Sequence, residues 1–68
     1  MERMGLVRRF EFCRDKQMVA AGRGREYAQA GMPLLAQTYF DECRYLGVLM
    51  IDSIEQLEAM DKQERTQQ

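Results

Sequence analysis

Apolar and small residues recur along the second half of the chain at spacings of four and three: Ala36, Phe40, Cys43, Gly47, Met50, Ile54 and Leu57. That period belongs to one face of a helix that packs against another. The first half repeats it with weaker residues: Leu6, Phe10, Cys13, Gln17, Ala20, Gly24, Tyr27 and Gly31. Between the two runs stands Gly31-Met32-Pro33. A glycine there suits a left-handed helix C-cap, and a proline suits the first position of the next helix, where its missing N–H costs nothing. The pattern predicts a single all-α domain, an antiparallel two-helix hairpin. Helix one is expected over about residues 3–30, the turn at 31–32, helix two over about 33–62, and a frayed polar tail over 63–68. A strand over Leu6–Phe12, where Phe10 and Phe12 alternate with charges, has no partner strand in the sequence.

Folding the two runs about residue 32 sets Gly24 against Phe40, Ala20 against Cys43, and Gln17 against Gly47. It also sets Cys13 against Met50, Phe10 against Ile54, and Leu6 against Leu57. Small residues then face large ones at several levels, as interdigitated layers require. The same register places Arg8 and Arg9 near Glu55, and Arg14 near Asp52. It separates Cys13 from Cys43 by about 10 Å of helix, too far for an intrachain disulfide. Each glycine inside helix one costs up to ~1 kcal/mol against alanine, so Gly22 and Gly24 call for a packing reason.

Charge is sorted to the two sides of the break. Residues 1–31 carry seven basic and four acidic groups, net +3, and residues 32–68 carry three basic and seven acidic, net −4. With 68 residues, a lone hairpin buries only about 60% of its unfolded surface and needs further support. The chain has no His, and its two cysteines lack metal-ligand spacing, so neither a metal nor a cofactor is expected. Self-association is then the expected stabiliser, as a homodimeric four-helix bundle. A net charge of −1 and a pI near 5.3 argue against a dedicated nucleic-acid binder. No apolar run approaches the ~18–20 residues of a membrane span, and the N-terminus lacks a signal peptide's apolar core. A reduced, cytoplasmic protein is the expectation.

A second apolar stripe accompanies the first. Leu35, Tyr39, Leu46 and Leu49 run along helix two, and Met4, Val7, Met18 and Ala21 along helix one, with Tyr45, Val48 and Ile51 adding more. Two helices cannot bury both stripes against each other, so the second is expected to meet a second copy, another protein, or both. Phe40 is expected in the seam and Tyr39 about 100° away from it, as a binding anchor. With Arg23 and Arg25 near the same end, the candidate partner-binding set is Tyr39, Leu35, Leu46, Leu49, Met18, Arg23 and Arg25. No catalytic constellation is visible. Without His, and with only Ser53, Thr38 and Thr66 as hydroxyl nucleophiles, there is no nucleophile–base pair. Asp52, Glu55 and Glu58 read as a solvated helix face.

Over residues 20–46 the chain resembles a single tetratricopeptide unit. Gly24 and Tyr27 match the Gly-x-x-Tyr of that family's first helix, Gly31 its turn glycine, and Ala36, Phe40 and Cys43 the small, aromatic and small positions of its second helix. Ala20, Arg23 and Val48 depart from the pattern, and no second copy follows. The resemblance implies a closely packed hairpin with a tendency toward protein–protein binding. In size and pattern the chain also resembles the small helical hairpins that bacteriophages make to block host regulators. The expected function is a non-catalytic protein-binding module that inhibits another protein, such as an anti-activator of a host transcription regulator. The alternatives are nucleic-acid binding through the basic first helix, at Arg8-Arg9 and Arg23-Gly24-Arg25, and a structural or co-chaperone subunit.

Overall fold

The computed structural model describes residues 2–67, and within them the chain is two α-helices. Helix α1 spans Arg3–Gln29 and α2 spans Pro33–Gln67, packed antiparallel into a rod of 57 × 14 × 14 Å. The turn is built as its residues dictate. Gly31 sits at φ +74°, the left-handed region that costs a side-chain-bearing residue about 1–2 kcal/mol. Its N–H donates to the Ala28 carbonyl at 3.2 Å, and the Met32 N–H reaches back to the Tyr27 carbonyl at 2.9 Å. Those two bonds are the Schellman closure of α1. The Met32 carbonyl then accepts the Ala36 N–H at 3.1 Å, so α2 starts with Pro33 in its first position.

The α1 seam lies where the spacing puts it: Leu6, Cys13, Ala20 and Gly24 are buried, with Phe10, Gln17 and Tyr27 half-buried beside them. Gly24 is the point of closest approach. A Cβ placed on it would lie 2.6 Å from Cε1 of Phe40, which is why the ring lies flat where a methyl would be. Gly47 faces Gln17 as expected, and the Gln17 amide donates to the Cys43 carbonyl at 3.0 Å. Both cysteines are free.

Helix α2 keeps one expected line inward, Ala36, Cys43, Met50 and Leu57, and replaces the other. Its buried residues are Ala36, Leu46 and Ser53, whereas Ile54, expected opposite Phe10, is 41% exposed. The inward positions form a heptad with Ala36, Cys43, Met50 and Leu57 on one line and Tyr39, Leu46, Ser53 and Met60 on the other. The expected line through Phe40, Gly47 and Ile54 lies at the edge of the contact, and Phe40 is half-buried rather than buried. Rotating α2 in this way also changes the ion pairs. Arg9 meets Asp52 at 2.5 Å instead of Glu55, and Arg14 turns to its neighbour Asp15 at 3.3 Å instead of Asp52.

The helix also runs past residue 62, where fraying was expected, to Gln67; the last expected tail residue, Gln68, is outside the described residues. Three contacts hold these turns: Arg3 to Glu64 at 2.5 Å, Arg65 to Asp61 at 3.1 Å, and the Thr66 hydroxyl donating to the Lys62 carbonyl at 2.9 Å.

Three glycines in this hairpin should respond to alanine in different ways. Nothing lies within 4 Å of a Cβ on Gly22, so Gly22→Ala should raise stability by about 0.5–1 kcal/mol through helix propensity alone. Gly24→Ala should cost about 1 kcal/mol net, because displacing the Phe40 ring outweighs the same propensity gain. Phe40→Leu in that background should recover most of the loss. Gly31→Ala should cost about 1 kcal/mol through its positive φ. Urea denaturation at fixed protein concentration measures all of these, and a Gly24→Ala chain as stable as Gly22→Ala would sink the close-approach account.

Candidate functional site

The turn end of the rod carries a feature that periodicity does not reveal. From Tyr27 to Phe40, fourteen consecutive residues hold no Asp, Glu, Lys or Arg, in a chain that is 31% charged. The fold gathers this stretch into one cap: the last turn of α1, the Gly31-Met32-Pro33 break and the first two turns of α2. Met32, Pro33, Leu34 and Leu35 line an open apolar notch there, and Leu34 is 85% exposed. Helix periodicity cannot find this surface, because Leu34 and Leu35 sit on adjacent faces. Charge depletion along the sequence would have found it.

Behind the cap two tyrosines lock the helices together. Tyr27 and Tyr39 stack with centroids 5.5 Å apart and planes inclined by 8°. The Arg23 guanidinium lies over the outer face of Tyr39, 5.9 Å from its centroid. Tyr39 is therefore half-buried across the seam rather than turned away from it. A shallow groove bounded by Lys16, Val19, Ala20, Arg23, Tyr39 and Glu42 continues along this side of the hairpin.

The structure divides the seven residues proposed as a partner surface. Tyr39, Arg23 and Leu35 come together at the turn end. Leu46 does not belong with them: it is 7% exposed, a core residue, because α2 turns its Tyr39–Leu46–Ser53 line inward. Leu49 is half-buried one turn before Ser53, at the rim of the core. Met18 is 69% exposed and shares a line of α1 with Arg25, seven residues on, about 100° around from the Val19 line that borders the groove. Met18 and Arg25 thus face away from Arg23 and Tyr39.

A polar clasp that the spacing did not reveal crosses the middle of the same side. Ser53 is fully buried, its hydroxyl donating to the Leu49 carbonyl at 3.0 Å and accepting from Nε of Arg9 at 2.8 Å. The other arm of Arg9 reaches Asp52, which also accepts from the Gln56 amide at 2.7 Å. Among the described residues, no buried side-chain polar atom lacks a partner. The hydrogen bond from Arg9, then that from Gln56, hold the Asp52 carboxyl below its ordinary pKa. The Ser53 hydroxyl bonds a guanidinium and a carbonyl, and the neighbouring Asp52 carboxylate is held by Arg9 and Gln56. Among the described residues no group of three His, Cys, Asp or Glu converges as a metal site would, and no helix is long and apolar enough to cross a membrane.

Comparison with family models, with curated proteins and with solved structures finds no match to this chain. The functional reading therefore rests on the chemistry of its own surface.

The clasp makes stability depend on pH in a defined sense. Because the folded pKa of Asp52 is lowered, its contribution is present above the ordinary value of 3.8 and is lost as pH falls through the lower folded value. Urea midpoints for the wild type and Asp52→Asn should differ at pH 7 and converge at acid pH. A gap that stays constant with pH would mean that the Asp52 charge plays no part.

Proposed function

We propose that this chain is a non-catalytic protein-binding module that inhibits its partner by occupying it, with the turn end of the hairpin as the docking element. The observation that carries the reading is the uncharged cap of residues 27–40, with Leu34 almost fully exposed at its apex. A contiguous exposed apolar end on an otherwise charged rod marks an interaction site. Leu34, Leu35 and Met32 supply apolar anchors, and the Tyr27–Tyr39 stack beneath them supplies a rigid base. Arg23, held over Tyr39, gives the rim a directed positive charge. The resemblance of Gly24, Tyr27, Ala36 and Phe40 to a tetratricopeptide unit supports the same class of function. In its most specific form the partner is a transcription regulator, and the hairpin acts as an anti-activator.

The basic face of α1 is less available to phosphate than its composition suggests. Arg3, Arg9 and Arg14 are paired with Glu64, Asp52 and Asp15, and Arg23 lies on Tyr39. A protein partner is the better fit.

The decisive variants are Leu34→Asp and Leu35→Asp, which place charge in the cap without touching the seam. Tagged wild type should retain a stoichiometric protein from lysate after nuclease treatment and at raised salt. Both variants should lose it while keeping the thermal midpoint within a few degrees of wild type. Binding that survives both substitutions, or that disappears with nuclease, would overturn the reading.

A further inference from the structure

The turn end leaves the other long side of the hairpin unexplained. The clasp of Arg9, Ser53 and Asp52 crosses one side, while Gly47 and Phe40 lie at the edge of the other. Along α2, Ile51 and Ile54 continue the Gly47 line by four and seven residues, 58% and 41% exposed, and Met50 flanks them. Along α1 the half-buried Phe10 and Gln17 share the facing line, seven residues apart. The ion pair on this side, Arg3 with Glu64, lies beyond the strip toward the open end of the rod, seven residues before Phe10 and seven after Leu57. On α2 this side is an apolar strip of Met50, Ile51 and Ile54, with the Gln17 amide of α1 seated against Gly47.

The amount of surface left open matches one further packing event. The chain exposes 5307 Å², whereas a compact monomer of 8.0 kDa exposes about 4,450 Å². The excess, roughly 850 Å², is close to the ~800 Å² that each partner buries in a standard interface. A second copy of the same strip is the occupant that supplies matching shape and charge. Helix α1 carries seven basic and three acidic groups, net +4, and α2 three basic and seven acidic, net −4.

A two-fold axis can set two such hairpins face to face in two ways. With the axis across the rods, α1 lies on its own copy and α2 on its own copy, so like charges meet. With the axis along the rods, each α1 lies antiparallel against the partner's α2, so that +4 meets −4 on every neighbouring pair. The second arrangement puts both turn ends at the same end of the bundle.

We infer that this chain forms a homodimeric four-helix bundle through the Gly47–Ile51–Ile54 strip, with the two hairpins side by side and both uncharged caps at one end. The dimer leaves the clasp side and the caps open. It stands or falls separately from the identity of any other partner, because it is read from mass and geometry of the purified chain.

Sedimentation equilibrium of the full chain should give twice the monomer mass at micromolar concentration. Ile51→Glu should raise the dimer dissociation constant by at least about tenfold, a loss of about 1.4 kcal/mol or more, because it buries an unpaired charge. Tyr45→Glu, on the exposed outer surface seven residues before Asp52, should leave the mass unchanged while helicity by circular dichroism stays constant in both. The arrangement is read by electron–electron spin distances from a label at Gln37→Cys, in a Cys13→Ala, Cys43→Ala chain confirmed as helical. Caps at one end place the two labels within about 30 Å, allowing for a ~14 Å diagonal across the bundle and two label arms. The crossed arrangement sends them to opposite ends of a 57 Å rod. A monomer at every concentration, a dimer dissociated by Tyr45→Glu and not by Ile51→Glu, or a long label distance would each overturn the inference.

Discussion

Two helices can bury only one face each, and everything else about this chain follows from that constraint. The seam holds few large residues: Cys13, Ala20, Gly24, Ala36 and Ser53 are all small. Small seam residues leave little volume to fill, so Leu6 and Leu46 are the only large apolar side chains buried in the core among the described residues. Most of the 46% apolar composition is therefore displaced outward onto the flanks and the turn end. A longer chain would fold a third element over those surfaces. In a rod of two helices they stay open, and they are the surfaces on which the proposed function rests.

With so small a core, the register of one helix on the other rests on directional contacts. Apolar side chains of similar size tolerate a slide by one turn, but the Arg9 clasp does not. Its guanidinium bonds a fully buried hydroxyl and an adjacent carboxylate at once, and that geometry exists at one register only. The Gly24–Phe40 approach and the Tyr27–Tyr39 stack fix the same register nearer the turn. A serine in the apolar line of α2 costs packing area, yet it gives Arg9 a partner, and among the described residues no buried side-chain polar atom is left unsatisfied. Specificity of alignment is obtained here from polar groups.

How far the sequence discloses this depends on which residues carry the signal. The α1 seam was legible because Leu6, Cys13, Ala20 and Gly24 hold the heptad without interruption, and the turn because glycine and proline have narrow backbone preferences. The α2 phase was not. Phe40, Gly47 and Ile54 offer a plausible small-and-large line, while the true line contains Ser53, which a hydrophobic pattern rejects. The line through Ala36, Cys43, Met50 and Leu57 was right, but an error of one residue in the second line turned the face of α2 by about 50°, changed the partners of Arg9 and Arg14, and moved Leu46 from candidate surface to core. Of the proposed binding residues, Tyr39, Arg23 and Leu35 converge because they flank the turn, where chain connectivity fixes their neighbourhood. Met18 and Arg25 do not, because residues on one helix separate by angle as well as by distance. Cap residues escape periodic analysis altogether, since a helix end presents all its faces.

Surface and assembly are linked through the turn. A single cap is about as wide as the rod, 14 Å, and offers three apolar anchors, little area for a specific interface. Placing two caps at one end of a bundle doubles the area without new sequence and adds the gain of bivalent binding when a partner is itself two-fold symmetric. The charge segregation of the helices then acts at a distance. In the proposed dimer, by favouring α1 against α2 of the second copy, +4 against −4 would decide whether the two apolar ends cooperate or point apart. In a chain this short the same residues that stabilise the pair of helices would thus also determine how many docking ends the assembly presents on one face.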